Sequence, residues 1–122
     1  MKERTQPIPR PAVDLIDRRY QPRFKIEVAI TIHSKTCGFI KGHTVDLSES
    51  GISAILPLEL PLDELVELDF TLPFGRVMTY AVVRQRSAFR YGFRFAESNF
   101  IKEIIHPTCR VLAMQQYVSH GT

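Results

Sequence analysis

The stretch RFKIEVAITIH, residues 23–33, sets the strongest limit on what this chain can fold into. Phe24, Ile26, Val28, Ile30 and Ile32 alternate with Lys25, Glu27, Ala29, Thr31 and His33. Successive side chains of an extended chain point to opposite faces, so a two-residue period means a strand with one face buried. VELDFTL (66–72) repeats the pattern, with Val66, Leu68, Phe70 and Leu72 on one face and Glu67, Asp69 and Thr71 on the other. GFIKGHTVDL (38–47), GISAIL (51–56), RVMTYAVVRQR (76–86) and FRYGFRFA (89–96) read as four further strands. Gly42 signals a bulge or a close backbone approach in the second of the six. SKTCG and PFG are turns, and Pro57 and Pro61 mark PLELPLDE as a connection because proline cannot donate to a ladder. Six strands at short spacing, joined mostly by short turns, predict a mainly β fold, an antiparallel barrel or sandwich.

The pattern changes at both ends. Residues 1–17 carry Pro7, Pro9 and Pro11 with no sustained apolar period, which predicts a mobile arm; VDLID (13–17) could add a helical turn. Phe100, Ile101, Ile104, Ile105, Cys109, Leu112 and Tyr117 fall on a helical stripe. Pro107 interrupts it, and a mid-helix proline costs about 3 kcal/mol, so a bend or a split is expected there.

At 122 residues the chain is the size of one domain. Its 44% hydrophobic and 24% charged residues describe a soluble globular protein. No apolar run approaches the roughly 18 residues of a membrane span. MKERTQPIPRP lacks the apolar core of a signal peptide, so a cytosolic location is expected. Cys37 and Cys109 form no CxxC pair and are expected as free thiols. His33, His43, His106 and His120 match no zinc spacing, and no nucleophile and base, GxGxxG or P-loop stands out. Binding is therefore expected rather than catalysis. The net charge of +3 is concentrated: residues 1–25 hold seven basic and three acidic side chains, and the remainder carries −1. A phosphate-bearing partner would be steered to the N-terminal side.

Two short segments suit such a partner. RRYQPRF sets Arg18, Arg19 and Arg23 just before the first strand, and Pro22 keeps them off a regular helix. DLSESG, with Asp46, Ser48 and Gly51, follows the second strand and also reads as an ordinary turn, in which Gly supplies positive φ. A guanidinium meets phosphate in a fork, stacks on flat rings and matches guanine O6 and N7. A carboxylate accepts from the guanine N1 and N2 donors. Arginine, aspartate and serine together suit a guanine nucleotide with several phosphates.

In this order and spacing, RxxxR (Arg19 to Arg23) and DxSxxG (Asp46, Ser48, Gly51) resemble the PilZ domain, a bacterial receptor module for cyclic di-GMP. The resemblance runs from residue 18 to about 118, leaving 119–122 as a tail, and includes YGFRF (91–95) and the terminal helix. It implies a six-stranded antiparallel β-barrel of the split-barrel type with a C-terminal helix, and no enzymatic cofactor. It implies that Arg19 and Arg23 grip phosphates and guanines, that Asp46 and Ser48 contact a guanine edge, and that Gly51 shapes the turn. Arg18 matches an additional arginine that some members carry, and such members tend to hold two intercalated ligands rather than one. The output would be an altered surface shown to a downstream protein. Two rivals stay open: a small barrel that binds single-stranded nucleic acid through Tyr20, Phe89, Tyr91 and Phe93, and a PilZ-like adaptor acting only by protein contacts. The near-neutral barrel argues against nucleic acid.

Overall fold

The computed structural model describes residues 22–96 and 99–121. Its strands are β1 (Phe24–Lys25), β2 (Ala29–Ser34), β3 (Gly38–Leu47), β4 (Gly51–Ile55), β5 (Leu65–Leu72), β6 (Gly75–Ser87) and β7 (Arg90–Phe95), followed by helix α1 (Asn99–Gly121). All pairings are antiparallel, in the order β1-β3-β2-β5-β6-β7-β4, and β4 returns to pair with β3. Six strands therefore close a barrel, one of the two forms the strand spacing allowed and the one the family resemblance implied, and β1 adds a two-residue ladder to β3.

The first strand of the sequence reading is two strands. Phe24 and Lys25 pair with Leu47 and Asp46, whereas Ala29 pairs with His43, so the chain fits one extra residue between the two ladders. Thr44 holds this break. Its Oγ1 accepts from Val28 N at 2.9 Å and donates to Ile26 O at 2.5 Å, taking up backbone groups the ladder leaves unpaired. Burial still alternates through the break, which is why the period looks continuous in the sequence.

The inward side chains of the alternating pattern fill the barrel. Ile30, Ile32, Ile40, Leu47, Ile52, Val66, Leu68, Val77, Val83 and Tyr91 are all at most 2% exposed. Helix α1 lies across the end of the barrel that carries the β3–β4 and β5–β6 turns. Ile101, Ile105 and Cys109 are buried there, Gly75 faces Ile104, and Gln116 exchanges hydrogen bonds with the Lys25 backbone. The side chains of Phe100 and Tyr117, also on the expected stripe, lie outside the described residues.

The break expected at Pro107 does not divide the helix, which runs unbroken from Asn99 to Gly121. Proline removes the donor for the carbonyl four residues back. That residue is Glu103, which is exposed, so water can serve it. The Thr108 hydroxyl adds a bond to Ile104 O at 2.7 Å, and burial of Ile105 and Cys109 on either side of the proline holds both halves against the barrel. Both cysteines are free, Cys37 exposed and Cys109 buried. Among the described residues no helix is long and apolar enough to cross a membrane.

Candidate functional site

Residues paired across a sheet share a face, so the register defines the outer wall. Lys25 pairs with Asp46, Asp46 with Ser53, Ser53 with Gly92 and Gly92 with Gln85. This row crosses β1, β3, β4, β7 and β6. Asp46 reaches it because of a bulge: the β3–β4 register shifts between Thr44 and Asp46, so Val45 is an extra residue. His43 pairs with Ile55 and Asp46 with Ser53, and Ile55 and Ser53 share a face of β4. Without the bulge, Asp46 would point into the barrel with Leu47's neighbours.

Asp46 is the hub of the wall. The residue is 9% exposed and both carboxylate oxygens are used. Oδ1 accepts from Ser53 Oγ at 2.6 Å and from Arg23 Nη1 at 3.1 Å, and Oδ2 accepts from Arg90 Nη2 at 2.7 Å. A buried carboxylate is tolerable only when so compensated. The two guanidinium side chains are about half exposed, at 52% and 51%, and their other donors remain available to an arriving anion. One aspartate and two arginines leave the cluster net positive. Ser53 contributes a small side chain and Gly92 none to the middle of the row, and the Gln85 side chain of β6 lies over Gly92.

The expected site residues divide three ways. Arg23 and Asp46 are brought together by a direct ion pair. Ser48 and Gly51 form the adjoining turn. Ser48 is 1% exposed, its Oγ accepts from Gly51 N at 3.1 Å and Ser50 N at 3.3 Å, and its N–H donates to Gly51 O at 2.9 Å. That hydroxyl is committed to the turn, so a ligand contact through it requires the turn to open. Gly51 does not supply the positive φ of the simple turn reading; among the described glycines only Gly38 and Gly75 do. It is needed because a Cβ would collide with the Phe93 carbonyl oxygen of β7. Gly42 has the close approach expected of it, against Ile55 O and Leu56, while the bulge sits three residues further on. Arg18, Arg19, Tyr20 and the VDLID segment lie outside the described residues.

Sequence reasoning missed Arg90. The signal was there: in RYGFRF, Tyr91 and Phe93 alternate with Arg90, Gly92 and Arg94, so if the aromatics are core the arginines face out. The aromatics are core. Tyr91 is 0% and Phe93 3% exposed, and the Tyr91 hydroxyl accepts from Leu60 N at 2.9 Å. This corrects their reading as platforms for nucleic-acid bases; of that set, Phe89 alone is both described and exposed. Among the described residues no group of three His, Cys, Asp or Glu is placed to hold a metal ion.

Comparison with known proteins bears on the whole of this architecture. The PilZ domain profile matches residues 17–105. No curated protein gives a significant match. Among solved structures, YcgR from Escherichia coli in complex with c-di-GMP superposes with a TM-score of 0.71 at 18% identity, covering 85% of this chain and 50% of its own. The Bacillus subtilis inhibitor of motility MotI/DgrA gives 0.67 at 18% identity, covering 76% and 50%. The PilZ domain of CeSA from a cellulose-synthesizing bacterium gives 0.58 at 17% identity, covering 78% and 98%. The chain thus spans about half of the YcgR and MotI/DgrA chains and nearly all of the isolated CeSA domain. With its closed six-stranded barrel, its terminal helix and a profile match over most of its length, the chain belongs to the PilZ domain family.

Proposed function

We propose that this chain is a cyclic di-GMP receptor that binds and does not catalyse. The observation that carries the reading is the Arg23–Asp46 pair on the outer wall, which joins the RxxxR segment to the DxSxxG turn. Asp46 takes the N1 and N2 donors of a guanine. Oδ1 already holds Ser53 and Arg23, so the incoming edge displaces the more exposed of the two, Arg23. The released guanidinium then turns to a phosphate, joined by Arg19 and Arg18. Binding thereby fixes the RxxxR segment over the ligand, and the new surface is offered to a downstream protein in the cytoplasm. Ser48 and Gly51 hold the turn that presents Asp46. The solved YcgR complex contains c-di-GMP, which supports the ligand class.

Calorimetry with cyclic di-GMP, GTP and a short single-stranded oligonucleotide tests this reading. Cyclic di-GMP is expected to bind at about micromolar affinity or tighter, roughly −8 kcal/mol, with the other two much weaker. Preference for the oligonucleotide would favour the nucleic-acid reading, and silence to all three would leave an adaptor working by protein contacts alone.

A further inference from the structure

Arg90 has no place in either motif, yet it makes the shortest ion pair to Asp46, at 2.7 Å against 3.1 Å for Arg23. It starts β7, pairs with Ile55 and Ser87, and stands two residues from Gly92 on the outer wall. The two oxygens of Asp46 are unequally loaded. Oδ1 carries two donors and Oδ2 one, and a carboxylate oxygen has room for about two. A guanine edge needs one place on each. On Oδ1 something must leave; on Oδ2 Arg90 can stay. Arg90 then remains fixed to the carboxylate that holds the base. Its unused donors sit beside the base edge, where guanine carries its O6 acceptor next to N1. Gly92, at the adjacent outward position of β7, has no side chain of its own; the Gln85 side chain of β6 lies over it, on the side of Gly92 that an incoming base would meet.

We propose that Arg90 contacts the ligand directly, as a fourth guanidinium of the site that reads the guanine O6 while Asp46 takes N1 and N2. The inference rests on the cyclic di-GMP reading and deepens it. It gives guanine selectivity to a pair of residues on β3 and β7, outside the N-terminal arginine segment. Adenine offers neither the N1 donor for Asp46 nor the O6 acceptor for Arg90, so both residues discriminate against it.

A double-mutant cycle with cyclic di-GMP separates contact from support. Arg90→Ala is measured in the natural background and again in Asp46→Ala, by calorimetry, with melting curves to confirm folding. A direct contact survives loss of the aspartate, so Arg90→Ala is expected to weaken binding about tenfold or more in both backgrounds, the loss of a hydrogen bond involving a charged group. If Arg90 only braces Asp46, the second substitution costs nothing once the aspartate is gone, and the proposal is overturned. Arg90→Lys keeps the charge without the fork and is expected to recover only part of the affinity; full recovery also overturns the O6 reading. Loss of binding in the unsubstituted protein would be a different failure, that of the receptor assignment itself.

Discussion

Gly51→Ala probes why the motif glycine is there. The backbone at Gly51 is not left-handed, so alanine meets no φ penalty. It would even gain about 0.4–1 kcal/mol from a less free unfolded chain. The obstacle is spatial: the added Cβ falls well inside contact distance of the Phe93 carbonyl oxygen, and Phe93 C lies at 3.3 Å. That oxygen belongs to the β4–β7 ladder, where Gly51 pairs with Arg94 and Ile52 with Phe93, so relief means moving a strand. Overpacking that shifts backbone costs about 1–3 kcal/mol, which leaves a net loss of roughly 1–2 kcal/mol after the entropy gain. With an m-value of about 2 kcal/mol/M the urea midpoint should fall by roughly 0.5–1 M. Gly92→Ala is the control on the same pair of strands. Its Cβ would meet only the Gln85 side chain, at 3.4 Å, an ordinary contact. Its midpoint should stay at or slightly above that of the unsubstituted protein. Equal losses in the two variants, or no loss in Gly51→Ala, would refute the close-approach argument.

The remaining predictions concern binding and pH. Arg19→Ala and Arg23→Ala should each weaken cyclic di-GMP by about 1.5–3 kcal/mol, the range for hydrogen bonds to charged groups; an unchanged dissociation constant in calorimetry would remove that arginine from the site. Asp46→Ala should weaken cyclic di-GMP more than its adenine analogue, and equal losses would mean that Asp46 serves the wall alone. With Arg18 proposed as the extra cation of a stacked pair of ligands, titration to saturation should give two molecules per chain for the natural sequence and one for Arg18→Ala; a natural stoichiometry of one refutes the pairing. Burial, and then the charge of Glu49, push the Cys109 thiol up to about 11 from its ordinary 9.0. The folded state therefore keeps a proton that the unfolded state loses, so this contribution is whole below about pH 9 and is lost as the pH rises toward about 11. The melting temperature should fall across that window, and fall less in Cys109→Ala; parallel curves would refute the assignment.

The barrel was legible because one-sided burial writes itself into the chain at period two. Val66 to Leu72 reads as a strand directly, and the boundaries of GFIKGHTVDL match β3 residue for residue. The two irregularities were not legible. The break at residues 26–28 leaves the alternation of apolar and polar side chains intact, and the bulge at Val45 shifts it where Gly42, His43 and Thr44 carry no apolar pattern to show the shift, so only pairing reveals them. They matter most for the site, since the bulge turns Asp46 outward. Arg23 and Asp46 stood out as residue types at a known spacing. Arg90 did not, because its meaning depends on β7 lying beside β4, a long-range neighbour that local sequence does not specify. Of the bend or split expected at Pro107, the split does not occur: the helix continues through the proline, with Ile105 and Cys109 packed on both sides of it.

We propose that cyclic di-GMP sits on the wall formed by β3, β4 and β7, held through Asp46. The most direct test of this proposal is a nuclear magnetic resonance titration of isotopically labelled protein that follows backbone amides together with the arginine Nε–H signals. Saturable shifts are expected to concentrate in residues 18–25, 46–53 and 85–94, with the Arg23 and Arg90 side-chain signals among the largest. Shifts confined to the opposite wall, around Thr31, Asp69 and Met78, or no shifts at millimolar ligand, would contradict it.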